Sequence, residues 1–64
     1  MKTYFVPLEN IIHPETRDVV LRAGFVYSQA LFKKRIEPLG ADIFDIRIIM
    51  APNINRAVIK AMNA

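Results

Sequence analysis

The stretch from Asp42 to Met50 constrains the fold more than any other part of the chain, because its apolar and polar residues alternate. Asp45 and Arg47 separate apolar residues at the even positions. Those positions are Phe44, Ile46, Ile48 and Met50. A period of two is that of a β-strand with one face toward the core. With Gly40 before it and Pro52 after it, the stretch predicts a central or nearly central strand whose even positions are buried.

The small size of the chain limits how it can be stabilised. Its 64 residues predict a single domain covering 1–64, and such a domain buries only about 60% of the surface that its unfolded chain exposes. The sequence has no cysteine, which excludes disulfides and cysteine zinc sites. Yet 53% of residues are hydrophobic and the mean hydropathy is +0.22. We therefore expect another protein or a second copy to cover part of this surface.

Two segments before residue 25 predict a strand and a helix. Lys2 to Leu8 alternates as a strand, in which Pro7 indicates an edge position or a strand end. Pro14 to Gly24 has a proline at its start and a glycine at its end, both typical of helix boundaries. This predicts a short helix, and the alternative is one long helix from Pro14 to Ile36.

The remaining segments predict a strand followed by a helix, and a final helix. Aromatic and β-branched residues favour a short strand over 25–27. Ser28 can cap the next helix, with Tyr27 and Phe32 at the positions of a hydrophobic staple. Asn53 or Asn55 can cap the last helix. Its predicted apolar stripe consists of Ala57, Val58, Ala61 and Met62.

These elements predict a small α+β domain in the order β-α-β-α-β-α. Its three-stranded sheet carries two to three short helices, mainly on one face. We expect Phe44, Ile46 and Ile48 to form the core of the sheet. Their predicted contacts are Val20, Leu31, Ile36 and Val58.

The sequence shows no pattern that predicts catalysis. A nucleophile needs a base within reach, and the chain has one histidine, His13, which precedes a proline as loop or cap histidines do. Asp42 and Asp45 would project to opposite faces of a regular strand, so they cannot share a metal. Gly24 and Gly40 stand alone rather than in a phosphate-binding loop. We predict a non-enzyme with no catalytic residue, no cofactor and no metal.

The basic residues leave nucleic-acid binding open as an alternative function. The chain carries a net charge of +3, and Lys33, Lys34 and Arg35 cluster where a helix ends. Such a cluster could contact nucleic acid if its charges shared one face beside exposed aromatic rings. The ten uncharged residues from Ala23 to Phe32 are too few to cross a membrane, and the amino terminus has no long apolar run. We therefore expect a cytoplasmic protein without membrane contact.

The stretch from Tyr27 to Arg47 resembles the small linker domain of phycobilisomes. It has Tyr27-Ser28, a helix ending in Arg35-Ile36, Leu39-Gly40, then Ile43 and Ile46-Arg47. In that family a strand ends in Tyr-Ser, a helix ends in Arg-Ile, and a Leu-Gly-Gly turn precedes a strand. This chain departs from the family in having Ala41 at the second glycine.

The resemblance implies a small, basic, non-enzymatic domain that binds no cofactor. Family members occupy the centre of ring-shaped antenna assemblies. Carried onto this sequence, the resemblance implies a partner-binding patch. That patch would consist of Tyr27, Phe32, Lys33, Lys34, Arg35 and Arg47.

The leading hypothesis from the sequence is therefore a non-catalytic assembly module that docks on a partner protein or self-associates. The alternative is a small basic nucleic-acid-binding or regulatory protein, phage-like in size, that uses Lys33, Lys34 and Arg35.

Overall fold

A computed structural model describes residues 1–39 and 45–63. Five strands and two helices follow one another in it. The strands are β1 (Lys2–Pro7), β2 (Ile11–Ile12), β3 (Val19–Leu21), β4 (Tyr27–Ser28) and β5 (Ile46–Ala51). The helices are α1 (Gln29–Ile36), which continues into a 3-10 turn at Glu37–Leu39, and α2 (Ile54–Met62). The predicted α+β class and three-stranded sheet are confirmed, and the sheet is antiparallel.

The sheet has the order β4-β1-β5. β1 is therefore the middle strand, and β5 lies at an edge, so the predicted central position of the Asp42 to Met50 strand is wrong. Pro7 is the last residue of β1, as the strand-end prediction required. The part of the predicted strand before Asp45 lies outside the described residues.

Two apolar clusters lie on opposite faces of the sheet. On the face toward α2, Tyr4 pairs with Ile49 across β1 and β5, and both pack with Ala57 of α2. On the other face, Phe5 packs against Phe32 of α1, with ring centroids 4.7 Å apart. The sheet is thus covered on both faces, not mainly on one.

The buried face of β5 is the reverse of the predicted one. Ile49 and Ala51 are buried, whereas Ile48 and Met50 are exposed. Ile46 is half-buried. The final residues of β5 are apolar at odd and even positions alike, so the sequence pattern alone does not decide which face of the strand is buried. Docking of α2 through Ala57 selects the odd positions.

The helix predicted from Pro14 to Gly24 is wrong, and so is the single long helix to Ile36. Instead, β2 and β3 form a hairpin in which Ile11 pairs with Leu21. The His13 Nδ1 atom accepts hydrogen bonds from the amides of Glu15 and Thr16 at 3.1 and 3.3 Å. This side chain stabilises a turn where the sequence suggested a helix start.

The hairpin completes the core on the α1 face. Leu21 is fully buried in a cluster with Ile11, Tyr27 and Phe32. Val20, Ile36 and Ile46 pack against that cluster. Leu31 and Ile48 do not, because both are exposed.

Candidate functional site

The basic cluster on α1 has two exposed lysines and one arginine with contacts to neighbouring residues. Lys33 and Lys34 are exposed. The Arg35 guanidinium lies 5.9 Å from the centre of the Tyr27 ring and donates to the Val20 carbonyl at 3.3 Å. Arg35 therefore links α1 to the hairpin, and the two lysines remain accessible to an acidic partner.

The two aromatic residues of the predicted partner-binding patch lie in the core. Tyr27 is the residue before the Ser28 cap, and Phe32 is four residues into α1, which is the spacing of a hydrophobic staple. Both are buried in one cluster. The Tyr27 hydroxyl accepts a hydrogen bond from the Arg22 amide at 2.8 Å. These side chains hold the start of α1 in place.

Arg47 lies apart from the other members of the predicted patch. It is on β5, at the sheet edge opposite β4, and pairs with Val6 on the face toward α2. α1 packs on the other face. The structure therefore brings Lys33, Lys34 and Arg35 together and does not bring Arg47 to them.

An apolar groove separates α2 from the loop of residues 22–26. Val6 and Ala61 lie at its base, and we call it the α2 groove. Its exposed walls consist of Leu8, Phe25, Val58 and Met62. The backbone holds this loop close to β1, because the Gly24 amide donates to the Pro7 carbonyl at 2.9 Å. Gly24 has a φ of +79°, a conformation that favours glycine.

A second apolar surface follows the outer edge of β5. Ile48 and Met50 project from the same face as α1, in a part of the sheet that α1 does not reach, and Ile59 of α2 lies beside the same edge. Lys60 Nζ donates to the Met50 carbonyl at 2.6 Å. We call this surface the β5 edge.

Polar residues that could be read as catalytic have structural contacts. The Ser28 hydroxyl caps α1 by accepting from the Leu31 amide at 3.3 Å, and His13 stabilises the hairpin turn. Within residues 1–39 and 45–63, no three side chains of the metal-binding types gather into a group that could hold an ion. In the same residues, neither helix is long and apolar enough to cross a bilayer.

Comparisons with known proteins give no relative: no protein-family model, no curated protein and no solved structure matches this chain.

Sequence reasoning missed both apolar surfaces. The sequence predicts a strand from Lys2 to Leu8, but β1 ends at Pro7 and Leu8 is exposed. Phe25 was assigned to a strand, whereas it precedes β4 in the loop. Only the surplus of apolar residues in the composition indicated that such surfaces exist.

Proposed function

We propose that this chain is a non-catalytic protein–protein interaction module that docks on a partner or self-associates. One observation carries the proposal: within the described residues, twelve large hydrophobic side chains are exposed, whereas nine hydrophobic residues are buried. Single exposed hydrophobic residues are ordinary, but contiguous groups of them mark interaction sites. Here seven of the twelve exposed side chains line the α2 groove or the β5 edge.

The accessible area supports the same proposal. The chain exposes 4780 Å², whereas a folded monomer of 7.3 kDa exposes about 4,200 Å². The excess of about 600 Å² is of the same order as the roughly 800 Å² that each partner contributes to a standard interface. A partner would therefore return the exposed area toward that of a compact protein.

The α2 groove is the part of this surface that a single substitution tests best. Phe25 forms its wall and is exposed, so Phe25→Lys should leave the fold intact while placing a charge against an apolar partner surface. Ile12→Lys is the matched control, because Ile12 is also an exposed hydrophobic residue and lies on the β2–β3 hairpin.

The experiment combines size analysis with affinity capture under chemical crosslinking. We expect the native chain to self-associate or retain a stoichiometric protein partner, and Phe25→Lys to weaken that association at least tenfold relative to Ile12→Lys. A folded monomer that retains no protein would contradict the proposal. Equal loss in both variants would contradict the assignment to the α2 groove.

The resemblance to phycobilisome linker domains supplies one specific partner class. Two of its features have counterparts in the fold, since β4 is Tyr27–Ser28 and α1 ends in Arg35-Ile36. We propose ring-shaped antenna proteins as the first partners to test. Binding of purified antenna rings, measured by co-sedimentation and weakened by Lys33→Glu/Lys34→Glu, is the expected result. No co-sedimentation would remove this partner class.

A second candidate function is nucleic-acid binding. Lys2 and Lys33 line a common groove in which no acidic residue of the described chain takes part, and α1 has no acidic residue in its first turn. Lys33→Glu/Lys34→Glu should abolish a gel shift that Arg22→Glu/Arg56→Glu, with the same change in charge, retains. Affinity should also fall steeply with salt. No shift of single-stranded or duplex probes at low salt would exclude this function.

A further inference from the structure

The outer side of β5 faces away from β1, at an edge of the sheet. No other strand of the described residues pairs with that side. The Leu8 amide donates to the Asp45 carbonyl at 3.0 Å, so the backbone groups of Asp45 face β1. Along an antiparallel pair, the backbone N–H and C=O groups of successive residues point alternately toward the partner strand and away from it. The residues whose backbone groups point outward are therefore Ile46, Ile48 and Met50.

The contact of Lys60 with the Met50 carbonyl agrees with this direction. Lys60 Nζ reaches that carbonyl from α2, outside the sheet. A lysine is a common means of protecting a free strand edge, but here it covers one carbonyl of a six-residue strand. Within residues 1–39 and 45–63, no strand pairs with the rest of this edge.

The side chains at the same edge are apolar and accessible. Ile48 is 62% exposed and Met50 is 49% exposed, although both belong to the sheet. They lie on the face occupied by α1, but α1 follows β4 at the far edge and does not reach them. A strand that pairs here must bring apolar side chains to this face and unpaired backbone groups to this edge.

We infer that two copies of this chain associate by antiparallel pairing of their β5 strands about a two-fold axis at Ile48. This inference rests on the proposed function and names its partner as a second copy. Ile48 then pairs with Ile48 of the second copy, and Ile46 pairs with Met50 of the second copy. All outward-pointing backbone groups meet one another, and three apolar side chains from each copy lie on one continuous face.

Charge complementarity favours a second copy. Asp45 lies at an odd position of the strand, on the face that carries α2, and is exposed. In the two-fold arrangement Asp45 of one copy lies opposite Ala51 of the other, one residue from Met50 and hence beside Lys60. Two symmetric Asp45–Lys60 pairs result. Lys60 exchanges the Met50 carbonyl for a carboxylate, and that carbonyl accepts from the Ile46 amide of the second copy.

The neighbouring registers fit less well. Pairing Ile46 with Ile48 of the second copy places Arg47 directly opposite Arg47, which is repulsive. Pairing Ile48 with Met50 of the second copy removes Asp45 from the reach of Lys60. Shifting the pairing by one residue places outward-pointing backbone groups of one copy opposite backbone groups of the other copy that point toward its own β1. Such groups cannot hydrogen-bond across the two copies. Of these registers, the one with its axis at Ile48 both pairs the outward-pointing backbone groups and places Asp45 beside Lys60.

A cysteine crosslink tests the axis directly, because the native chain has no cysteine. Directly opposed residues in a hydrogen-bonded antiparallel pair have Cα atoms about 5.5 Å apart, within the range for a disulfide. Ile48→Cys should therefore form a covalent dimer under mild oxidation at micromolar concentration. Ile12→Cys, a comparably exposed position on the hairpin, is the control and should crosslink at least tenfold more slowly.

Charge exchange tests the register. Asp45→Lys and Lys60→Asp should each weaken dimerisation several-fold in sedimentation equilibrium, and the double variant should restore most of the loss. Ile48→Lys, which opposes two like charges on the axis, should give a folded monomer by circular dichroism and sedimentation.

The outcomes separate this inference from the proposed function. A monomeric native chain that still retains a different protein under crosslinking overturns the dimer and leaves the interaction module standing. A monomer that retains no protein overturns both. A dimer that is unaffected by Ile48→Lys, or that crosslinks equally at Ile12→Cys and Ile48→Cys, overturns the β5 pairing alone.

Discussion

The two helices meet the sheet through side chains of very different size. α1 contributes Phe32, which is buried against Phe5. α2 contributes Ala57, which is fully buried, and Ala61, which is half-buried. Burial of a phenylalanine stabilises a fold by roughly 1.5–3 kcal/mol through the hydrophobic effect, whereas a methyl group contributes about 0.8 kcal/mol. We therefore expect α1 to hold the domain together and α2 to be held more weakly.

The same difference explains where the exposed apolar surface lies. Small side chains let α2 approach the sheet closely, and its larger apolar residues then project away from the contact. Those residues are Ile54, Val58, Ile59 and Met62. A helix of this kind contributes little of its apolar surface to its own fold. Val58 and Met62 line the α2 groove, Ile59 lies beside the β5 edge, and Ile54 lines the groove that contains Lys2 and Lys33.

The largest expected effect comes from removing the aromatic contact of α1. Phe32→Ala should cost about 3–5 kcal/mol, the usual range for a buried phenylalanine. Stability of 0.05–0.15 kcal/mol per residue gives a domain of this length only about 3–10 kcal/mol. We expect thermal denaturation followed by circular dichroism to show a largely unfolded protein.

The control for this variant is the adjacent residue. Leu31 lies on the same helix but is exposed, so Leu31→Ala should change the free energy of unfolding by about 1 kcal/mol or less. Equal losses in the two variants would show that α1 does not anchor the domain through Phe32.

An intermediate effect should follow from enlarging the contact of α2. Ala57→Leu inserts three carbon atoms where no solvent-accessible area remains, and overpacking of this kind costs typically 1–3 kcal/mol. Ala30→Leu, the same enlargement at an exposed position of α1, should change stability by less than about 0.5 kcal/mol. Urea denaturation of both variants measures the difference in the free energy of unfolding. An Ala57→Leu variant as stable as the native chain would mean that α2 packs loosely on the sheet.

Local signals in the sequence predicted the helices that exist. Ser28 caps α1, and Asn53 caps α2 by accepting from the Arg56 amide at 3.0 Å. Both caps depend on residues within three positions of each other, so a sequence pattern contains them. The false helix from Pro14 to Gly24 had boundary residues of the same kind. There the pairing of Ile11 with Leu21, ten positions apart, determined the structure instead.

Which apolar residues are exposed depends on contacts between helices and sheet, and a local sequence pattern does not contain those contacts. Ile48 and Met50 were predicted to be buried because they alternate with Arg47, and they are exposed because α2 docks on the opposite face. Tyr27 and Phe32 were predicted to bind a partner, and they lie in the core. In both cases the position of a helix relative to the sheet decides exposure. Composition indicated a surplus of apolar surface without locating it.

The smallest expected effect separates the two caps. Ser28→Ala and Asn53→Ala each remove one side-chain acceptor from a helix amide and should cost about 1 kcal/mol. Because α1 is anchored by Phe32, loss of the Ser28 cap should lower the stability of the whole domain. α2 is held by alanines, so loss of the Asn53 cap should increase amide hydrogen exchange within Ile54–Met62 while the exchange of β1 stays nearly unchanged. Uniform acceleration across both elements in Asn53→Ala would show that α2 unfolds together with the sheet, and the contrast between the helices would then be one of packing alone.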